Sequence, residues 1–224
     1  NFLEQNYNNL YVNKFKNLVK GAHKADFFRY CVLYCLGGIY IDIKISPKKK
    51  FNEIFDHNKQ NVLYTCLGSK GSYENIFDKF IRNLQGNGNG HIFQAIIATY
   101  PGNEIFKPLI KDFFVIDKPH NNYHIFTYKF YDVLKEKIGK YIDFGIHKYY
   151  NQEVILFREI NKKMNNEDKK DRHGGFFYVN NENNKLIFRS RYIDFPWNNK
   201  KEDSKIFKII QFRKYLKFFN LENI

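Results

Sequence analysis

Cysteine is scarce in this sequence. Cys31, Cys35 and Cys66 are the only three, an odd number with no CxxC pair, which argues against a disulfide framework and against a zinc ribbon. Cys31 and Cys35 stand one helical turn apart and suit packing as small apolar groups; this usage favours a reducing compartment. Proline is thin as well, five in 224 residues, and no Pro-, Gly- or Ser-rich stretch is long enough to serve as an interdomain linker. Nowhere does the chain approach the roughly 20 consecutive apolar residues of a membrane span, no secretory leader is visible, and no internal repeat occurs. A single domain over 1–224 is the expectation.

Acidic residues are in deficit, 23 against 37 Lys and Arg, for a formal net charge of +14. A basic protein attracts nucleic acid, anionic membrane or phosphorylated small molecules. Lys, Asn, Ile, Phe and Tyr are all abundant and all have AT-rich codons, so codon bias accounts for the same charge without an anionic partner. No nucleic-acid-binding module is recognisable, and no specific nucleic-acid partner is expected. Apolar material is plentiful: 43% hydrophobic, with 24 Phe and 17 Tyr, enough for a substantial core and contrary to a disordered chain.

Apolar spacing predicts a helix over Tyr11–Lys20 and a mostly buried one over Ala22–Leu36, stopped by Gly37 and Gly38. Ile39, Ile41, Ile43 and Ile45 alternate with Tyr40, Asp42 and Lys44, which predicts one strand over Ile39–Ile45 with a single apolar face. A second strand is expected over Asn61–Leu67, a loop over Gly86–Gly90, and helices over His91–Tyr100, Asn103–Ile116 and Tyr123–Lys137. Glu153–Ile160 reads as a strand, Phe176–Asn180 and Lys185–Tyr192 as a late β-hairpin, and Ser204–Phe219 as a basic amphipathic C-terminal helix. The sum is an α/β domain with a mixed sheet.

The chemistry concentrates between Ala22 and Ile45. Asp26 and Arg29, three residues apart on a helix, share a face. Gly37-Gly38 turns the chain into a strand whose polar side offers Tyr40, Asp42 and Lys44. Ligands of open α/β sheets bind outside the carboxyl ends of strands. Carboxylates there suit sugar hydroxyls, and cations suit phosphate. Taken alone, Asp26 and Arg29 also fit a surface i,i+3 ion pair, and Asp42 fits a strand-end acid capping a turn.

The run His23-Lys24-Ala25-Asp26-Phe27-Phe28-Arg29-Tyr30, followed by Gly37-Gly38-Ile39-Tyr40-Ile41-Asp42, resembles the DXD-containing sugar-transferase family. That family includes fungal α-mannosyltransferases, bacterial capsule and surface-polysaccharide transferases and, distantly, the glucosylating clostridial toxins. The resemblance implies a GT-A type mixed sheet flanked by helices. It also implies a retaining hexosyltransferase that uses a UDP- or GDP-sugar, usually with Mn²⁺ or Mg²⁺, and a glycan or protein hydroxyl as acceptor. Residue by residue, Asp26, Arg29 and Asp42 become catalytic candidates. Asp26, Arg29, Gly38, Tyr40, Asp42, Lys44 and Gln94 become donor-binding candidates, Gln94 standing where relatives tend to carry a sugar-facing Asn.

Two departures bear on activity. The second acid of the motif is Lys44, so Asp42 is the only metal candidate, and an ammonium repels a divalent cation. Either Lys44 neutralises the diphosphate itself, or Asp42 and the phosphates hold a metal alone, or the domain binds a sugar nucleotide or glycan without catalysis. Only about twenty residues precede the Asp26 motif, too few for a full βαβ unit, which sets the expectation of an N-terminally incomplete domain lacking its first strand–helix unit. The sequence does not fix the compartment: a soluble domain is expected, cytoplasmic, or Golgi-lumenal where an anchor has been removed. Asp143, His147, His173 and Trp197 are candidates for the acceptor side. His120 and His124 have the spacing of a helical metal pair, though a surface pair is the simpler reading.

Overall fold

The computed structural model describes residues 2–43, 45–68, 90–116, 124–139, 142–162, 176–181, 183 and 185–190. Three helices come first: α1 (Phe2–Asn6), α2 (Asn9–Asn17) and α3 (Gly21–Leu36). Strands β1 (Gly38–Ile41) and β2 (Ile45–Pro47), helix α4 (Phe51–Ile54), and strands β3 (Val62–Leu67) and β4 (Ile96–Thr99) follow. Helices α5 (Phe106–Val115) and α6 (Ile125–Ile138) precede β5 (Gly145–Tyr149), β6 (Gln152–Lys162), β7 (Phe176–Asn180) and β8 (Leu186–Ser190). The fold is mixed α/β with one large mixed sheet, as the sequence predicts. The late hairpin is β7–β8; the predicted C-terminal helix lies outside the described residues. No described helix is long and apolar enough to cross a membrane.

The eight strands run in the order β1-β4-β3-β6-β7-β8-β2, with β5 pairing β6 beside β7. Among the described strands only β3–β6 is parallel; the other pairs are antiparallel. β1 and β2 close opposite ends of this path, yet only residues 42–44 join them. The four Cα–Cα steps from Ile41 to Ile45 reach at most about 14 Å, whereas six strand spacings of a flat sheet span about 29 Å. The sheet therefore curls until its edges meet at the Asp42 turn. Strands from every part of this path feed one apolar cluster, including Ile45, Cys66, Ile96, Phe157, Val179 and Phe188, with Ile39 and Ile41 packed against it. The other face, through Leu63, Leu67, Ile97, Val154 and Leu156, packs on α3, α5 and α6. Buried rings dominate that layer: Phe27 meets Phe113 edge-on, and Phe113 stacks on Phe126 with ring centroids 3.5 Å apart.

Two predicted elements differ from the sequence reading. The Ile39–Ile45 strand is two strands with different partners, β1 on β4 and β2 on β8. Asp42 N–H donates to the Ala95 carbonyl, and Ile45 N–H closes a turn on the Asp42 carbonyl. Ile43, inside that turn, is 58% exposed, so the four isoleucines do not share one face. The helix predicted over His91–Tyr100 is instead a buried loop leading into β4. A continuous apolar run suits a buried helix and a central strand alike, and the Ile-Ile-Ala-Thr segment finds partners on both sides, β1 and β3. Strand β5 has no counterpart in the sequence reading; only its alternating burial marks it.

The passage from α3 to β1 rests on Gly37. Its φ is 63°, and a Cβ there would sit 2.6 Å from Pro101 N and 2.8 Å from the Thr99 carbonyl oxygen. Gly102, at φ 75°, has open space around the same position. Gly37→Ala is therefore expected to cost about 3 kcal/mol or more, combining backbone strain with overlap against main chain, and Gly102→Ala about 1–2 kcal/mol from conformation alone. Denaturant midpoints of the two variants check this; equal losses would refute the close-approach account.

Candidate active site

Asp26 and Arg29 lie on the sheet-facing side of α3, each only 6% exposed. Burying a guanidinium is expensive unless its donors and charge find partners. Arg29 Nη2 stands 3.2 Å from Asp26 Oδ1 and 3.7 Å from Asp42 Oδ1. Nη1 donates to the Gln94 carbonyl at 2.6 Å, and Nε reaches back to the Ala25 carbonyl at 3.4 Å. The Tyr40 ring lies under the guanidinium, its centroid 4.4 Å from Cζ. Burial alone would lower the Arg29 pKa; Tyr40, Asp26 and Asp42 outweigh it and raise the pKa above its ordinary value. The i,i+3 pair of the sequence is thus a buried pair.

Strand β1 supplies the opposite wall. The Tyr40 hydroxyl donates to Asp42 Oδ1 at 2.7 Å, so Tyr40 and Asp42 share a side of the chain, as predicted. Burial and the Asp42 carboxylate push the Tyr40 pKa up, outweighing the opposing Arg29 charge, and the hydroxyl stays a donor. The loop before β4 supplies the third wall. Gln94 is 4% exposed. Its head stands beside the Tyr30 hydroxyl and interacts with it.

Of the predicted donor-binding residues, the structure brings together Asp26, Arg29, Tyr40, Asp42 and Gln94. Gly38 opens β1 opposite Thr99, at the far end of the strand from Asp42. Lys44, His120, His173 and Trp197 lie outside the described residues. Asp143 and His147 bond to each other, the His147 ring donating to the Asp143 carbonyl at 2.7 Å. They flank the start of β5, separated from β1 by β4, β3 and β6. His124 precedes α6 and faces the rings of His91 and Tyr128. Among the described residues no group of three or more His, Cys, Asp or Glu is placed to hold a metal. The main-chain acceptors of Gln94 and Ala95 are site features that side-chain motifs do not reveal; they follow from the antiparallel β1–β4 pairing.

A buried arginine is thus held between two carboxylates at a strand's carboxyl end. Residues 1–61 match the family model for the glycosyltransferase sugar-binding region containing the DXD motif, so the resemblance carried by Asp26, Arg29 and the Gly37–Asp42 run extends over that whole stretch. The chain is similar to the initiation-specific alpha-1,6-mannosyltransferase of Schizosaccharomyces pombe, 34% identical over 91 residues, 39% of this chain and 22% of that protein. It is similar as well to an uncharacterized glycosyltransferase of Acanthamoeba polyphaga mimivirus, 27% identical over 123 residues, 50% of this chain and 48% of that protein. The matched segments thus span about a fifth and about half of these two relatives. No solved structure matches the chain significantly.

Arg29→Met leaves the buried Asp26 carboxylate and the partly buried Asp42 carboxylate without their cation and is expected to destabilise the fold by about 3–5 kcal/mol. Tyr40→Phe keeps the ring and loses one hydrogen bond, about 1 kcal/mol. Urea unfolding of both variants checks the order; a near-neutral Arg29→Met would remove the guanidinium as the site's organiser. The Tyr7, Tyr30 and Tyr40 hydroxyls are all held above their ordinary pKa. The folded state therefore keeps protons that the unfolded chain releases, and stability is present below about pH 10 and lost as pH rises beyond it.

Proposed function

We propose that the chain is a hexosyltransferase that moves a sugar from a UDP- or GDP-sugar to a hydroxyl of a glycan or protein, with retention at the anomeric carbon. The observation that carries this reading is the Asp26–Arg29–Asp42–Tyr40 group, built on a buried Asp26–Arg29 pair, inside the stretch that matches the sugar-binding region. Asp26, Asp42 and Gln94 bind donor sugar or ribose hydroxyls. Arg29 fixes the two carboxylates in place. The acceptor oxygen bonds to the anomeric carbon on the face the diphosphate leaves, the bond from that carbon to the diphosphate oxygen breaks, and the acceptor's proton passes to the departing diphosphate. No protein nucleophile is required, so the side chains act by positioning and by stabilising charge.

The residues present do not fit a dedicated metal site. Asp42 Oδ1 already accepts from Tyr40 and faces Arg29, and the second motif acid is Lys44. A hard divalent cation needs several oxygen ligands and repels both cations. We assign the neutralisation of the diphosphate to the Lys44 ammonium, which performs the same electrostatic task. The same substitution favours a second reading, a domain that binds the sugar nucleotide without turning it over.

Binding and turnover of UDP- and GDP-sugars by the full chain, with Mn²⁺ and with EDTA, separate the two. Turnover that survives EDTA and falls by about 100-fold or more in Lys44→Ala and in Asp42→Asn is expected, each change removing an interaction worth about 3 kcal/mol in the transition state. Binding without turnover selects the second reading. Failure to bind any nucleotide sugar ends both.

A further inference from the structure

The far end of the sheet holds a second group of residues that the donor reading does not use. Strands β5 and β6 form a hairpin in which Tyr149 faces Gln152 across the Tyr150-Asn151 loop. Tyr150 has φ 53°, a conformation that hairpin tips usually assign to Gly, Asn or Asp and that is an outlier for a bulky side chain. Its side chain is 89% exposed. A large aromatic held out in solvent on a disfavoured backbone relaxes nothing in the core, and such outliers gather at binding sites.

The rings of Tyr149 and Tyr150 meet nearly edge to face, 4.7 Å apart at 70°, and so form a corner with two aromatic walls. Lys137, at the end of α6, places Nζ 5.8 Å from the Tyr149 ring centroid and 3.2 Å from Glu136 Oε1. With Lys148 these residues line an open concavity of about 370 Å³. A neighbouring one of about 450 Å³ follows the same helix end past Asp132, Lys135 and Gly139, with Glu136 common to both. Both are shallow and open to solvent, which suits a chain lying along the surface rather than a small molecule enclosed in a pocket.

The chemistry selects the ligand. Aromatic faces carry negative quadrupole density and attract the C–H face of a pyranose. A carboxylate and ammonium groups beside them accept from and donate to neighbouring hydroxyls. Three lysines against two acids leave the lining nearly balanced in charge, and Lys137 is already paired with Glu136, which suits a neutral polyhydroxyl better than a polyanion. Gln152 lies at the start of β6, six residues before Arg158, which is level with the end of β3. At about 3.3 Å per residue this places the corner about 20 Å along the sheet from the strand ends that carry the donor candidate.

We propose that the Tyr149–Tyr150 corner and the adjoining α6 end bind a neutral oligosaccharide at a site separate from the Asp42 site. It holds a glycan chain by stacking and hydroxyl contacts, and it stands whether or not the donor site turns over. The test is saturation-transfer NMR and calorimetry of the full chain with mannotetraose, maltotetraose and cellotetraose, without nucleotide sugar. At least one tetrasaccharide is expected to bind with millimolar affinity. Tyr150→Gly is expected to weaken it about tenfold or more while raising Tm by about 2–4 °C, since glycine accepts the backbone angle. Tyr150→Phe, which keeps the ring, and Asp42→Asn, at the other site, are expected to leave binding within about twofold, a ring or remote change that moves affinity little. The proposal is overturned if no tetrasaccharide binds, if Tyr150→Gly binds like the wild type, or if Asp42→Asn abolishes binding, which would move the glycan to the donor site.

Discussion

A guanidinium that is almost wholly buried sets the terms for this molecule. Removing Arg29 from water carries a penalty of several kcal/mol, and it is tolerable only because both carboxylates, a carbonyl and a ring converge on it. Those partners come from distant stretches of the chain: Asp26 from α3, Tyr40 and Asp42 from β1 and its exit, the Gln94 carbonyl from the approach to β4. Satisfying one side chain therefore requires that α3 sit on the sheet and that β1 pair with β4 in the observed register. Gly37 makes this register attainable, because only a residue without Cβ lets the chain pass so close to Thr99 and Pro101.

The curled sheet extends the same logic. Because β1 and β2 are consecutive yet lie at opposite ends of the strand path, the turn at Asp42 is the seam where the sheet returns on itself. An acidic residue suits that position: its carbonyl closes the turn with Ile45 N–H, and its side chain is left to face Tyr40 and Arg29. The seam needs no apolar cover on the Ile43 side, which is why one isoleucine of the alternating run is exposed while Ile45 returns to the core. Fold and candidate site share this turn, so the Asp42 carboxylate is anchored by the element that closes the sheet.

The helix α3, the Gly37-Gly38 stop and the polar alternation of Tyr40 and Asp42 were legible in the sequence because each is local: periodicity, punctuation and spacing fall within a few residues. The break after Ile41 was not legible, since it depends on β2 finding β8 nearly 150 residues later. Nor was β4, whose Ile96-Ile97-Ala98-Thr99 run fits a buried helix until two strands offer it partners. Within the candidate site, the grouping of Asp26, Arg29, Tyr40 and Asp42 follows from motif spacing. The carbonyls of Gln94 and Ala95 carry no side-chain signature and are set by strand pairing alone. The hairpin corner escaped the sequence reading for a related reason, because Tyr-Tyr-Asn-Gln does not look like a turn until its backbone angle is known.

Charge arithmetic within the site bears on how the proposed donor would lie. Asp26 and Asp42 against Arg29 leave one net negative charge among side chains that are wholly or mostly buried. A diphosphate brought against that group would be repelled, and repulsion inside a desolvated site is only weakly screened. Hydroxyls carry no such penalty and can donate to the carboxylates. Under the proposed reading the sugar and ribose therefore belong over Asp26, Asp42 and Gln94, and the diphosphate belongs beyond the turn, toward Lys44 in the sequence. The chain's +14 charge then works at longer range, drawing an anionic donor toward the surface, while the local carboxylates decide which end of it enters. Replacing the second motif acid by lysine changes the sign at the one position where the phosphates need it, and so is compatible with a working donor site as much as with a silenced one.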